Sequence, residues 1–374
     1  MGDELVEAIT AEVMDSVDHR IPFARFMERA LYHPEQGYYQ RDRQKIGREG
    51  DFYTSTQVGD LFGIAIGRGL NILAQNFPLD QPWSVIEVGG GDGRLMEGVV
   101  QVLARKEKVA QPRIWMIESS PYHRRLQRER LSEAPLSVKW VSKIEEIPQY
   151  PTIVLSNELI DALPFHRLRW RNGDWREIWV SVDQERSRFV EVEGPVSEEQ
   201  IHHMAKEKER IRLPEEGDEI EISLSGRTWI QNVGSWLHQG FILTIDYGGI
   251  DEEIRELSRG TGTTRGFQKH RIVEDILASP GEIDLTANVS FTSLQTWGEE
   301  VGLRSYWYGS QSHYLLETGI LDEVSFGQDT DPFSNEAKRR RAFRQLALPG
   351  GMGDSYRVLI QAKGIQSKDV SVRR

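Results

Sequence analysis

Residues Trp83 to Leu95, W-S-V-I-E-V-G-G-G-D-G-R-L, constrain the fold of this chain more than any other stretch. Val85, Ile86 and Val88 form a short apolar run that glycines break at once. Leu95, Val99, Val102 and Leu103 then recur at i, i+4, i+7 and i+8, the spacing of one helix face. The order is therefore buried strand, glycine turn, helix. Within the turn the pattern is Glu87-x-Gly89-x-Gly91-x-Gly93. Glycines admit positive φ and let a ligand approach the backbone with no Cβ in the way. The following helix aims free N–H groups at the same place. Spacing argues against two common owners of such a turn. A dinucleotide fingerprint needs a third glycine three residues after the second, and Arg94 or Met96 stands there instead. A phosphate-cradling loop needs Gly-Lys followed by Ser or Thr, which the sequence lacks.

Length and charge narrow the classes further. A chain of 374 residues suffices for a large core or two domains. Its 38% hydrophobic and 28% charged content fits a soluble globular protein. There is no apolar run of about eighteen residues, so no membrane insertion is expected. Asp3, Glu4, Glu7 and Glu12 make the start too acidic for a signal or transit peptide. With no cysteine, disulfides, thiolate metal sites and cysteine nucleophiles are excluded. The histidines lack H-E-x-x-H spacing, and adjacent His202 and His203 read as exposed, so no metal is expected. A net charge of −12 argues against a nucleic-acid partner. Lys338, Arg339, Arg340, Arg341 and Arg344 run against that balance. They read first as the solvated face of a helix, and second as a docking patch for an acidic partner.

Along the chain, residues 1–80 read as a helical cap. Pro22 suits a first helical turn, and Phe23, Phe26, Met27, Ala30 and Leu31 repeat at helical spacing up to His33-Pro34. A second helix is expected from about Val58 to Ala74. From Trp83, strands alternate with helices: Arg113 to Ile117, Ser137 to Val141 and Thr152 to Leu155 read as strands, which implies a parallel sheet covered on both faces. Residues 81–164 would be the first half of this core. Residues 165–225 read as an inserted antiparallel subdomain. His166, Leu168 and Trp170 alternate with arginines up to Asn172-Gly173, a strong hairpin signal. Trp170, Trp175 and Trp179 would be its small core. Residues 226–374 would complete the sheet from Phe241 to Ile245, with a loop-like excursion over 250–292. A helix from Phe291 to Val301 follows, then strands at Arg304 to Tyr308, His313 to Glu317 and Tyr356 to Ala362, with a charged helix over about 334–347.

Two strand ends in this core are expected to carry chemistry. Glu118 ends the second strand, where an acidic side chain accepts hydrogen bonds from ribose hydroxyls; a nicotinamide enzyme would use it the same way. Asn157 and Glu158 end the fourth strand, beside the reactive end of a bound cofactor. Glu158 and Asp161, three residues apart, fit a cationic acceptor such as a guanidinium, and one of them can take a proton. The plainer alternative makes Asp161 a helix cap and Glu158 a solvated residue.

The glycine turn resembles the first motif of class I S-adenosylmethionine (SAM) methyltransferases, and the whole chain resembles the MidA family within that class. The matching stretches are Ile21 to Tyr39, Gly50 to Ser55, E-V-G-G-G-D-G, S-N-E-L-I-D-A-L-P-F-H (Ser156 to His166), L-T-I-D-Y-G (Leu243 to Gly248), D-L-T-A-N-V-S-F (Asp284 to Phe291) and M-G-D-S-Y-R-V-L (Met352 to Leu359). Asn288 and Ser290 depart from the histidine and aspartate common in the family. The resemblance implies an α/β, Rossmann-like class I sheet with a helical cap and an inserted subdomain. It implies SAM as cofactor, S-adenosylhomocysteine as product, and no metal. Glu87, Gly89, Gly91 and Gly93 would hold the methionine end and Glu118 the ribose. Thr54 and Ser55 would reach in from the cap, Asn157 would complete the cofactor site, and Glu158 and Asp161 would be catalytic. The expected reaction is protein arginine N-methylation in the cytoplasm of a bacterium, with a respiratory-complex subunit as substrate by analogy. A non-catalytic SAM-binding assembly protein is the alternative.

Overall fold

A computed structural model describes residues 3–42, 55–78, 81–105, 110–209, 213–269, 271–325, 331 and 333–365. Seven strands make its central sheet: β1 (Ser84–Val88), β2 (Arg113–Ile117), β3 (Val138–Val141), β4 (Thr152–Asn157), β5 (Gly240–Gly249), β6 (Arg304–Ser310) and β7 (Tyr356–Lys363). The spatial order is β6-β7-β5-β4-β1-β2-β3. The β5–β4–β1–β2–β3 pairs are parallel. Only β7 runs antiparallel, to both β5 and β6. A short strand, Val289–Ser290, pairs with the end of β5. This is the class I methyltransferase arrangement. The strand sequences explain it: V-I-E-V, I-W-M-I, T-I-V-L and F-I-L-T-I are nearly continuous apolar runs, as a sheet buried on both faces requires.

One layer over the sheet is fixed by glycine. Helix Asp60–Ala74 crosses helix Arg94–Leu103 at Gly63 and Gly98. A Cβ on Gly63 would lie 2.9 Å from the Gly98 Cα. The two backbones meet there, so the helix that follows the glycine turn is clamped against the sheet by Leu61, Phe62, Ala65 and Ile66. Leu61, Phe62 and Ile66, each fully buried, contribute on the order of 1.5–3 kcal/mol apiece.

The inserted segment forms a second, antiparallel sheet from His166–Arg171, Asp174–Asp183, Arg188–Gly194 and Glu219–Ile222. Asn172 and Gly173 both take positive φ, and Arg171 pairs with Asp174 across the two-residue turn. Trp175 is buried and meets Trp170 edge-on at 5.2 Å. Trp179 donates to the Pro195 carbonyl with Arg20 stacked on its ring. The alternating arginines form a ladder with glutamates: Arg169 bonds Glu219 and Glu193, and Arg167 bonds Glu191 and Glu219.

Three local expectations change. The cap is not wholly helical, because Arg20–Pro22 adds a strand to the inserted sheet through Trp179 to Ser181. Residues His313 to Glu317 lie in a helix, Gln311–Glu317, rather than a strand. Ser310 caps it by accepting the His313 N–H, and Tyr314 and Leu315 bury against the sheet, so capping outweighs the weak alternation. The excursion after β5 is ordered as helix Asp251–Ser258 and a small sheet of Arg265–Gln268, Arg271–Val273 and Asp284–Thr286. The basic helix, Asn335–Ala347, buries Ala342, Phe343 and Leu346, and its Arg339 pairs with Asp60 at 2.6 Å. Among the described residues, no helix is long and apolar enough to cross a membrane, and no cluster of three potential ligands could hold a metal ion.

Candidate active site

Strands β1 and β4 are neighbours where the strand order reverses, the place where α/β sheets open a crevice at their carboxyl ends. Here that crevice is a cavity of about 540 Å³. One half is built by β1, β2 and the helices after them. The Gly89 N–H donates to the Ile117 carbonyl at 2.9 Å, and the Gly93 N–H donates to the Gly90 carbonyl at 2.9 Å. Gly93 sits at φ +83°, immediately before helix Arg94–Leu103, and a Cβ there would lie 3.3 Å from Gln127. Left-handed backbone and lack of space both demand glycine. Gly89, Gly90, Gly91 and Asp92 line the cavity, whereas Gly93 stands behind them and aims the helix.

Glu87 and Glu118 form the floor of this half. Glu118 is 7% exposed yet well satisfied: Oε1 accepts the Ser120 N–H at 2.8 Å and Oε2 accepts the Gln127 amide at 3.2 Å. Burial raises its pKa, and these hydrogen bonds oppose the rise. The same Gln127 amide donates to the Gly91 carbonyl at 2.9 Å, and its oxygen accepts the Trp140 N–H at 2.9 Å. Gln127 therefore ties the glycine turn to Glu118, a role that nothing in a lone glutamine on a polar helix signals. Glu87 is different. It is 1% exposed, its Oε2 has no hydrogen-bond partner among the described residues, and burial beside Glu118 and Asp92 pushes it up to about 8. A Cβ on Gly90 would lie 2.8 Å from this carboxylate. The cradle thus leaves a carboxylate oxygen buried under Gly90 with no hydrogen-bond partner among the described residues.

The other half comes from β4, β5 and the segment before helix Phe291–Glu299. Asn157 and Glu158 end β4. The Glu158 N–H donates to the Ile245 carbonyl at 2.9 Å. The backbone then turns through a positive φ of 52° at Glu158, an uncommon conformation for a side-chain-bearing residue. Asp246, fully buried on β5, holds the turn by accepting the N–H groups of Leu159, Ile160 and Asp161. This closes the backbone back under the cavity, so Glu158, Asp161 and Asp284 all line it. Asn157 donates to Glu158 at 3.1 Å. Burial first, then the Asp161 charge, pushes Glu158 up to about 8. Asp161 is 8% exposed, its Oδ1 has no hydrogen-bond partner among the described residues, and burial with Asp246 and Asp284 nearby holds it well above the carboxylate range. Asp284 accepts the Tyr39 hydroxyl at 2.7 Å, and the Tyr32 hydroxyl caps the Ala162 carbonyl at 2.9 Å.

Of the sequence-derived site residues, Glu87, Gly89, Gly91, Glu118, Asn157, Glu158 and Asp161 line this one cavity. Thr54 lies outside the described residues. Ser55 is buried and faces the Gln311 side chain, while its neighbour Thr56 lines the cavity. Asn288 lines the cavity, whereas Ser290 caps helix Phe291–Glu299 and bonds Asp251. Sequence reasoning assigned no role to Tyr32, Tyr39, Tyr247, Asp246 or Asp284, although all five fall in stretches that carry the resemblance.

The cavity fits a cofactor with a cationic end: the glycine turn leaves the backbone bare, and the buried Glu87 oxygen lacks a partner. Comparison with known proteins agrees. The sequence model of a family described as "Putative S-adenosyl-L-methionine-dependent methyltransferase" matches residues 66–309, more than half of the chain. The protein arginine methyltransferase NDUFAF7 homologue, mitochondrial, of Drosophila melanogaster is 29% identical over 92% of this chain and 82% of its own length. Its counterpart in Danio rerio is 26% identical over 90% and 82%. A Burkholderia thailandensis protein crystallised with S-adenosylhomocysteine superposes with a TM-score of 0.88 at 27% identity, covering 98% of this chain and 93% of that one. The chain belongs to this S-adenosyl-L-methionine-dependent methyltransferase family.

Proposed function

We propose that the methyl acceptor is an arginine side chain of a protein. The observation that carries this reading is the second half of the cavity, where three carboxylates, Glu158, Asp161 and Asp284, line the cavity together. A guanidinium is planar, stays charged, and presents several donors to paired carboxylates. The relatives named as protein arginine methyltransferases support the same acceptor.

Roles follow from position. Glu87, Gly89, Gly91 and Asn157 hold the methionine end of the cofactor, with Gly93 orienting the helix, and Glu118 takes the ribose hydroxyls. SAM supplies an activated methyl group on a sulfonium. Glu158 and Asp161 orient the guanidinium in line with that group, which is most of what methyl transfer demands. An ionised carboxylate of the pair takes the proton that the nitrogen loses. Asp284, held by Tyr39, closes the opposite wall.

Calorimetric titration with S-adenosylhomocysteine, and in parallel with NADH, tests the cofactor half; binding of NADH alone would remove this reading. Incubation with methyl-labelled SAM and an extract of the source cells tests the acceptor half, with mass spectrometry locating the label. Label on arginine supports the proposal. Label confined to another residue type refutes it, and cofactor binding with no label in any protein would favour an assembly role.

A further inference from the structure

The small sheet of Arg265–Gln268, Arg271–Val273 and Asp284–Thr286 has two unlike faces, and register sets them. Phe267 pairs with Ile272 on one side and with Asp284 on the other, and Arg265 pairs with Thr286. Side chains alternate along a strand, so Arg265, Phe267, Ile272, Asp284 and Thr286 share one face. All five line the cavity. The other face, with Gly266, Val273 and Leu285, is packed. Leu285 is fully buried in the cluster that holds Leu5, Leu31 and Ile283, which ties this face to the cap. A Cβ on Gly266 would lie 2.8 Å from both Ile283 and Val273.

The loop that enters this sheet is pinned from the inserted subdomain. The Glu221 carboxylate accepts the N–H groups of Thr263 and Thr264 at 2.6 and 2.9 Å, and their hydroxyls at 3.1 and 2.9 Å. The Thr263 hydroxyl oxygen in turn accepts the Asn288 N–H at 3.0 Å. Cap and insert therefore fix the cavity face from behind and from the side. Along its row exposure falls inward: Ile272 is 64% exposed, Phe267 is half-buried and Asp284 is 4% exposed. Among the described residues, Ile272 is the one exposed large apolar side chain that lines the cavity.

We infer that the row Ile272–Phe267–Asp284 is the track on which a protein substrate presents its acceptor. The guanidinium reaches between Asp284 and the Glu158–Asp161 pair, its aliphatic stem crosses Phe267, and an apolar residue beside the acceptor rests on Ile272. Long cationic side chains bury their stems on apolar surface and keep the charged head with polar partners. Neighbouring strands lie about 4.8 Å apart, so the row spans roughly 10 Å, comparable with an extended arginine side chain. The next row carries Arg265 beside Thr286, where a second cation meets repulsion. Charge order therefore selects the row that ends in Asp284. This inference rests on the arginine reading and adds a substrate class to it: an arginine flanked by an apolar residue within a polypeptide, rather than free arginine.

The test needs no identified substrate. The probes are S-adenosylhomocysteine analogues in which nitrogen replaces sulfur and carries a short arm. The arm ends in a bare guanidinium, in an uncharged urea, or in the guanidinium of an arginine within a capped peptide, flanked on both sides by serine or by leucine. Calorimetry on the wild-type protein should give affinities that rise about tenfold from bare guanidinium to the serine peptide, and about tenfold again to the leucine peptide. Phe267→Ser should cancel the first gain and Ile272→Ser the second, with S-adenosylhomocysteine bound as in the wild type. Equal binding of the three guanidinium probes, still tighter than urea, overturns the track and leaves the arginine reading standing. No preference for guanidinium over urea overturns both. If variants with wild-type circular dichroism lose S-adenosylhomocysteine as much as the peptide probes, the face covers the cofactor and the inference falls. The wild-type comparison decides even where a variant fails to fold.

Discussion

The two halves of the cavity bury carboxylates in opposite ways. On the cofactor side, Glu118 is sealed from water but accepts two short-range hydrogen bonds, and Gln127 locks it to the glycine turn. On the proposed acceptor side, Glu158 and Asp161 crowd one another, with Asp246 and Asp284 close by, and Asp161 keeps an oxygen with no partner among the described residues. The first half is preorganised and loses little when its ligand arrives. The second stores repulsion that the proposed guanidinium guest would relieve, which would couple binding and chemistry there. Glu87 is the exception on the cofactor side, since its buried oxygen has no hydrogen-bond partner among the described residues.

The largest expected effect separates the halves by function. Glu158→Gln and Asp161→Asn should each lower methyl transfer by about 10²-fold or more, the range for losing a positioned base, while S-adenosylhomocysteine binds as before. Gly91→Val should abolish binding and transfer together, because Gly91 lines the cavity at φ +52°. Radiolabel transfer and calorimetry on the same preparations check this. Full transfer by Glu158→Gln would end the division of labour drawn above.

A middle-sized effect tests the preorganised half alone. Gln127→Ala removes donors from Glu118 and Gly91 and the acceptor of Trp140. Each such net loss is worth about 1 kcal/mol, so S-adenosylhomocysteine should bind roughly tenfold more weakly. Methyl transfer at saturating SAM should not change, as radiolabel transfer on the same preparation checks; if it falls as well, the halves are not independent.

How much of this was legible follows the same division. The glycine turn, the strand ends at Glu118 and Asn157, and the parallel sheet read directly from the sequence, because short-range spacing and apolar runs encode them. The hairpin at Asn172-Gly173 was equally plain. The acceptor half was only partly legible. Glu158 and Asp161 stand three residues apart, but Asp246 and Asp284 reach them from distant strands, and no local pattern reports such a meeting. The helix at Gln311–Glu317 was misread because five residues are too few to separate alternation from a capped turn.

The smallest effect is thermodynamic, and it sets one carboxylate against the other. Burial raises Glu158 from the ordinary 4.5 to about 8, so between those values the folded protein holds a proton that the unfolded chain has released. Stability should therefore fall as pH rises through that window and level off above it. Glu158→Gln removes the titrating group. Its Tm should match the wild type near pH 5, where the wild-type carboxyl is protonated, and exceed it by a few degrees near pH 9. Glu118→Gln should behave in the reverse sense. Its amide would turn an N–H toward either the Ser120 N–H or the Gln127 amide, leaving donor against donor, and Tm should drop at both pH values. Scanning calorimetry of the three proteins at the two pH values checks this. Equal behaviour of the two variants would mean that hydrogen-bond satisfaction does not distinguish the halves.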